Sequence, residues 1–347
     1  MTIFEQKMKE ENSVYVIAEM SANHNGSLET AKEIVRAIKE TGADCVKVQT
    51  YTADTITMDC RNEYFTLQGG TWDGQNLYDL YKNAYMPWEW QAELKKEAEE
   101  LGLDFFSTPF DPTSVDFLES IDIPFYKIAS FEVVDIPLIK KVAATGKPII
   151  MSVGMASLSE IDEAVRIIKE SGNELALLKC SSAYPAVPEK MNLKTIQHLQ
   201  ETFKVPVGLS DHSMGSVSAV TAVALGAKII EKHFCLSRDF GGPDSSFSME
   251  PAEFKQMVMD VNMAAKAVGD VVYRVSEEEK SNYAVRKSIF VSKDIKAGEI
   301  LTPENIRVVR PGYGMSPKFY EEVLGRKALR DLSFGEPLDM GMFGGKE

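Results

Sequence analysis

This sequence lacks the usual signs of disulfide or clustered thiol chemistry. Its four cysteines, Cys45, Cys60, Cys180 and Cys235, show no CxxC spacing, and two of them sit inside apolar runs that read as buried strands. Reduced structural thiols are expected. Long apolar runs are also missing. None approaches the roughly 20 residues that cross a bilayer, and the N-terminus MTIFEQKMKEENS has neither the basic start nor the apolar stretch of a signal peptide. Retention in the cytoplasm is the expectation. Positive charge is short: 38 Lys and Arg face 52 Asp and Glu, a formal net charge of -14. A nucleic-acid or anionic-membrane partner would reward a basic surface through counterion release, so neither is expected. An anionic substrate would need its positive charges gathered locally. Histidine is scarce too, with four in 347 residues.

What is present is an ordinary globular composition, 44% hydrophobic and 26% charged, in a chain long enough for one large domain and a small one. Eight β-rich runs recur as far as residue 234, at 13–21, 45–50, 103–108, 125–130, 148–153, 175–180, 206–211 and 228–234. Most carry consecutive apolar residues, as parallel strands covered on both faces do. Helical periodicity follows most of them: Ala31, Ile34, Val35 and Ile38 share one face, and Ser157 with Glu160 has capping-box spacing before Ile161, Val165 and Ile168. Eight such units indicate a (β/α)8 TIM barrel over residues 1–270.

Between the second and third strands lies the aromatic, glycine-bearing insertion FTLQGGTWDGQNLYDLYKNAYMPWEW, too long for a single crossover. It follows a strand end, so it should lie over the barrel mouth and shape a substrate. Residues 271–286 are polar and read as a linker. Residues 287–347 have short strands, turn residues and little helical periodicity, as a small β-rich domain would.

Chemistry in a TIM barrel sits at the C-terminal strand ends, and polar residues collect there. In strand order they are Glu19, Ser21 and Asn23; Lys47 and Gln49; Ser107 and Thr108; Lys127 and Ser130; Ser152; Lys179, Ser181 and Ser182; Ser210, Asp211 and His212; and Glu231, Lys232 and His233. Converging ammoniums and hydroxyls make an anion site, with phosphate the natural guess. His212 and His233 close neighbouring strands, which lie about 4.8 Å apart, so both imidazoles can reach one ion. Borderline metals such as Mn, Co, Ni or Zn accept imidazole together with waters and substrate oxygens. His24 is a candidate third ligand or substrate contact, and His198 reads as a surface residue of an amphipathic helix.

In this order, AEMSANHNG, VKVQTY, FFSTPF, YKIAS, the Ser152 to Met155 turn, GLSDHS, EKHF and GGPDSSFSM resemble the sialic acid synthase family. The segment KSIFVSKDIKAGEILTPENIRVVRPG looks like that family's C-terminal antifreeze-like (SAF, β-clip) domain. The resemblance implies an enzyme that joins phosphoenolpyruvate to an amino sugar. Within the family, the insertion and QTYTADTIT look most like the branch that uses 2,4-diacetamido-2,4,6-trideoxy-L-altrose in place of N-acetylmannosamine. An N-acetylneuraminate or legionaminic acid synthase is the alternative.

Carried over by motif, His212 and His233 hold a divalent metal, Mn or Mg with Co as an alternative. Lys47, Thr108, Lys127, Ser130, Ser152 and Ser210 surround phosphoenolpyruvate. Gln49, Tyr184 and Asp244 meet the sugar, and Glu19, Asp211 and Glu231 are the candidates for moving protons. Arg310, in VVRPG, resembles the residue that the antifreeze-like domain of one subunit inserts into its partner's barrel, which implies a domain-swapped homodimer. The product would feed a surface glycan or flagellin glycosylation. Two departures bear on sugar choice: Ser182 stands where N-acetylneuraminate synthases have Asn, and Ala183 precedes the tyrosine. The rival readings are a class I aldolase with Lys127 or Lys179 as Schiff base, and a non-catalytic sugar-binding protein.

Overall fold

All eight runs become strands: β1 (Tyr15–Glu19), β2 (Cys45–Thr50), β3 (Asp104–Pro109), β4 (Tyr126–Ile128), β5 (Ile149–Ser152), β6 (Leu175–Cys180), β7 (Val207–Asp211) and β8 (Ile229–His233). In this computed structural model, which describes residues 2–346, they close in sequence order into a parallel barrel. The closing pair sets Ile17 against Glu231 and Glu19 against His233.

Strand side chains alternate between two faces, and that period explains the whole interior. Tyr15, Ile17, Cys45, Phe106, Phe125, Ile150, Leu178 and Ile229 form one buried cluster inside the barrel. Phe4, from the N-terminal helix Ile3–Lys9, joins it with ring centroids 5.2 Å from Tyr15 and 5.1 Å from Phe125. Farther along each strand the inward column turns polar, to Lys47 and Gln49, Thr108, Lys127, Ser152, Ser210, and Glu231 with His233. Gly208 in β7 leaves room for this packing. A Cβ there would lie 2.2 Å from the Ile229 carbonyl oxygen and 2.7 Å from Leu178 Cδ2.

The outward faces of the strands pack under the helices in a second, larger cluster. Helix Leu28–Thr41 buries Ala31, Ile34, Val35 and Ile38, and helix Leu158–Glu170 opens on the expected Ser157–Glu160 capping box. Helix Trp88–Glu100 is the true crossover between β2 and β3, with Leu94 and Ala98 buried. The residues before it fold back over the mouth. The Thr71 hydroxyl donates to the Tyr184 carbonyl, and the Trp72 indole N–H donates to the Pro243 carbonyl at 3.2 Å.

The chain divides after Gly269 into two compact units, Met1–Gly269 and Asp270–Glu347. The second has its own core, with Ile289, Val291, Leu301, Ile306, Leu332 and Leu338. In it β9 (Ser288–Val291) pairs antiparallel with β10 (Ile306–Val309), and β11 (Arg326–Ala328) with β12 (Phe343–Lys346). The short helix Lys280–Tyr283 lies in the stretch read as a linker. Among the described residues, no helix is long and apolar enough to cross a membrane.

Candidate active site

A small cavity of about 60 Å³ opens at the C-terminal end of the barrel, lined among others by Lys47, Thr108, Lys127, Ser130, Ser152, Ser210, His212, Glu231 and His233. The six residues expected around phosphoenolpyruvate and the two expected metal ligands are thus brought together. Thr108 Oγ1 and Ser152 Oγ are buried with no hydrogen-bond partner in the protein. Buried hydroxyls are normally satisfied, so these two are donors awaiting an acceptor. Ser130 Oγ accepts from the Gly154 N–H at 3.0 Å. At Gly154 a Cβ would come within 2.9 Å of Ser130 Oγ and 2.6 Å of Ser182 Oγ.

The carboxylates correct the sequence reading. Glu231 Oε1 accepts from Lys47 at 3.0 Å, Lys127 at 2.7 Å and Ser210 at 3.0 Å, and its Oε2 accepts from Lys127 at 2.7 Å. Burial would raise its pKa, yet the two ammoniums hold it well below the usual carboxylate range. Glu231 thus holds both lysines in place at the cavity. Burial pushes Lys47 down to about 7 despite that contact, and Lys47 also pairs with Glu19 Oε2 at 2.7 Å. Glu19 does not line the cavity; its Oε1 accepts from the Ser21 N–H and from Gln49, each at 3.1 Å. Asp211 faces the other way. Its Oδ2 accepts from Lys232 at 2.7 Å and its Oδ1 from the Ser213 N–H and hydroxyl, with both ion-paired side chains 0% exposed. Asp211 lines neither this cavity nor the larger one, and cannot reach a substrate there.

His212 and His233 lie with ring centroids 5.3 Å apart. His212 Nδ1 is 3.0 Å from the Ser181 carbonyl oxygen. A carbonyl can only accept, so Nδ1 donates and Nε2 is the ring nitrogen left for a metal. His233 is neutral: burial, then His212 and Lys47, drive its pKa well below the usual value. Its Nδ1 is buried without a partner. Two imidazoles on one cavity wall suit a borderline divalent cation. Lys47 and Lys127 are each ion-paired with a buried carboxylate, Glu19 or Glu231. No group of three or more His, Cys, Asp or Glu that could hold a metal occurs among the described residues, so water and substrate would complete the shell.

Other expectations fall differently. His24 is a core residue: its Nδ1 accepts from the Gly26 N–H at 3.1 Å, its ring sits edge-on to Trp90, and burial pushes its pKa down to about 4. His198 is exposed as expected. Cys180 is a buried free thiol at the site. It lines the small cavity 3.8 Å from His212 Nδ1, and although burial raises its pKa, contact with the imidazole brings it down to about 7. Burial lowers His212 in turn, but Cys180 and the Ser181 carbonyl outweigh it and leave it raised. Arg310 stands exposed just past β10 in the second unit.

A second cavity of about 490 Å³ shares Gln49, Phe110, Phe131, Tyr184 and His233 with the first. One side is polar and comes from the end of β2 and from barrel loops: Gln49, then Ser21, Asp244 and Glu132. Gln49 donates to Ser21 Oγ at 3.0 Å, and Ser21 donates to Asp244 Oδ2. The other side is the insertion, with Ile56, Leu67, Trp72, Leu77, Leu80 and Tyr81. Tyr184 joins the two, its ring centroid 4.3 Å from His212 and 5.4 Å from Trp72. Glu132 escaped the sequence reading. Its Oε2 is buried without a partner, and burial pushes its pKa up to about 7.

The chain is similar over most of its length to known proteins. The family model described as NeuB family matches residues 34–273, and that of the SAF domain matches residues 286–343. Pseudaminic acid synthase of Campylobacter jejuni subsp. jejuni serotype O:2 is 46% identical over 334 residues, 96% of this chain and 97% of the relative. Pseudaminic acid synthase of Helicobacter pylori is 47% identical over 326 residues, 93% of this chain and 96% of the relative. The crystal structure of N-acetylneuraminic acid synthetase from Leptospira borgpetersenii serovar Hardjo-bovis, in complex with citrate, superposes with a TM-score of 0.69 at 33% identity. It covers 78% of this chain and 90% of that one.

Proposed function

The chain belongs to the NeuB family, and from that premise and its paired cavities we propose that it is a pseudaminic acid synthase. The reaction joins phosphoenolpyruvate, 2,4-diacetamido-2,4,6-trideoxy-L-altrose and water, giving pseudaminic acid and phosphate. The observation that carries this reading is the junction itself: a small polar cavity with two unpartnered hydroxyls meets a larger, half-apolar one at His233.

Phosphoenolpyruvate fits the small cavity by chemistry. Thr108 and Ser152 offer free O–H groups to its phosphate or carboxylate, and Lys127 and Lys47, steadied by Glu231, present ammoniums. The aldehyde end of the sugar belongs at the shared wall, where His212 and His233 would hold a divalent cation, Mn or Mg, with Co as an alternative. Such a cation polarises the aldehyde as a Lewis acid. C3 of phosphoenolpyruvate then attacks the aldehyde carbon; the new C–C bond forms and the former carbonyl oxygen takes up a proton. Water adds to the electron-poor C2, and the C2–O bond to phosphorus breaks, so phosphate leaves with the electron pair and C2 becomes a ketone. Glu132, with Oε2 unpartnered and lining the larger cavity, is better placed to exchange protons than Asp211 or Glu231.

A Schiff-base aldolase is disfavoured by one contact. Lys127 donates to both oxygens of Glu231 at 2.7 Å, an ion pair in which the nitrogen serves as an ammonium, and an ammonium has no lone pair to attack a carbonyl. Lys179 donates to the Cys180 carbonyl and lines neither cavity. We place the enzyme in the cytoplasm as a homodimer in which Arg310 of one subunit reaches the sugar in its partner's barrel. The test is phosphate release from phosphoenolpyruvate and the sugar after treatment with a chelator. Release should stop and return with Mn, and borohydride with pyruvate should trap no adduct. Undiminished release after chelation, or a trapped lysine adduct, would refute the assignment.

A further inference from the structure

The larger cavity has two unlike walls. Its polar wall is anchored in the end of β2 and in barrel loops, where Gln49, Ser21 and Asp244 are already joined by hydrogen bonds. Its aliphatic side comes from the segment between β2 and β3, where Ile56, Leu67, Leu77 and Leu80 all face the cavity, with Phe110, Phe131 and Pro243 adding apolar surface from barrel loops. Each of the four is only partly buried, and none packs into the apolar clusters of the barrel. Leu77 and Leu80 lie three residues apart on helix Leu77–Ala84, followed on the same face by Tyr81 and Ala84, and all four line the cavity. The outward face of that helix carries the exposed Asp79 and Lys82. Leucines held in this way, turned from solvent yet without a core partner, leave apolar surface for something else to cover.

Resting on the reading above, the sugar's aldehyde sits at His233, on the wall common to both cavities. The far end of the sugar, carbons 4 to 6, must then run into the larger cavity. We propose that Ile56, Leu67, Leu77 and Leu80 form the sugar-selecting wall, taking the methyl groups that a 6-deoxy, 4-acylamino sugar carries at that end. The corresponding positions of a plain N-acylhexosamine bear hydroxyls. A hydroxyl pressed against leucine finds no acceptor and loses its water. An apolar pocket rejects an added hydroxyl by no more than about 100-fold, so the wall supplies discrimination of that order while leaving the chemistry untouched.

The test compares kcat/KM for 2,4-diacetamido-2,4,6-trideoxy-L-altrose and for N-acetylmannosamine in the full-length enzyme and in Leu80→Asn and Leu77→Asn, with Leu80→Met as a volume-conserving control. The Asn variants should lose tenfold or more with the trideoxy sugar and keep or gain activity with N-acetylmannosamine. The KM for phosphoenolpyruvate should not change, and Leu80→Met should behave as the parent. Equal losses with both sugars would make the wall structural and overturn the inference, as would Asn variants with unchanged preference. A parent enzyme that turns over neither sugar, or only N-acetylmannosamine, would overturn the underlying function and the inference with it.

Discussion

Glu132 shows how much one side chain can carry beyond any strand-end pattern. It sits two residues past the end of the polar column of β4, in the 3-10 turn Ser130–Val134, so an inspection that stops at strand ends passes over it. The sequence signal is faint, an acid between apolar residues in SFEVV. An unfolded glutamate titrates near 4.3, whereas burial lifts the folded one to about 7. The folded chain thus binds this proton more tightly than the unfolded chain, so its contribution to stability falls as pH rises from about 4.3 through about 7 and stays low above. Glu132→Gln removes the ionisation. Its melting temperature should match the parent at pH 4 and exceed it by about 2 °C or more at pH 8, while turnover falls. Scanning calorimetry at the two pH values checks this; equal melting temperatures at pH 8 would show that the carboxylate carries no such burden. His212 and His233 are the opposite case, legible from sequence because two of only four histidines end neighbouring strands.

At the scale of strands, the eight parallel elements were legible because both faces of each are covered, giving apolar runs bounded by turns. Their inward and outward faces were equally readable but need the period of two applied strictly. Asp211 and His212 are neighbours, so if the imidazole points into the barrel the carboxylate points out, and Lys232 follows the same rule against Glu231 and His233. Treating all polar strand-end residues as one site therefore put Asp211 on the wrong face. Its ion pair with Lys232 ties β7 to β8 beneath both imidazoles. Removing one partner strands a buried charge, so Asp211→Ala should lose about 3–5 kcal/mol of stability. Because the substitution disturbs the strands that carry both histidines, Mn affinity should weaken as well. Denaturant unfolding and calorimetric metal titration measure the two effects. A variant as stable as the parent would mean that the pair contributes nothing. The insertion over the mouth was expected from its place after β2, and its contacts at Trp72 and Thr71 bear that out. Which of its residues face the cavity depends on a helix only eight residues long, too short for periodicity to announce itself.

For the whole molecule, the change in texture after the barrel was visible because short strands and turn residues replace apolar helical stripes, and the second unit does carry its own core. The proposed homodimer rests on resemblance alone, since no stretch of sequence spells out a symmetry axis. If Arg310 serves a partner's barrel, each subunit supplies half of a site to the other. Arg310→Ala should then raise the KM for the sugar without altering that for phosphoenolpyruvate. At a sugar concentration well below the raised KM of Arg310→Ala, mixing that variant with inactive His212→Ala should restore about one quarter of the parent activity, because half the dimers are mixed and one site in each is intact. No recovery after subunit exchange would place Arg310 in its own subunit's chemistry. The central claim concerns the bond that breaks. Phosphoenolpyruvate carrying ¹⁸O in its bridging oxygen, turned over with 2,4-diacetamido-2,4,6-trideoxy-L-altrose and analysed by mass spectrometry, should place the label in the released phosphate and none in the nine-carbon acid. Label retained in the acid, or no phosphate released at all, would contradict the account.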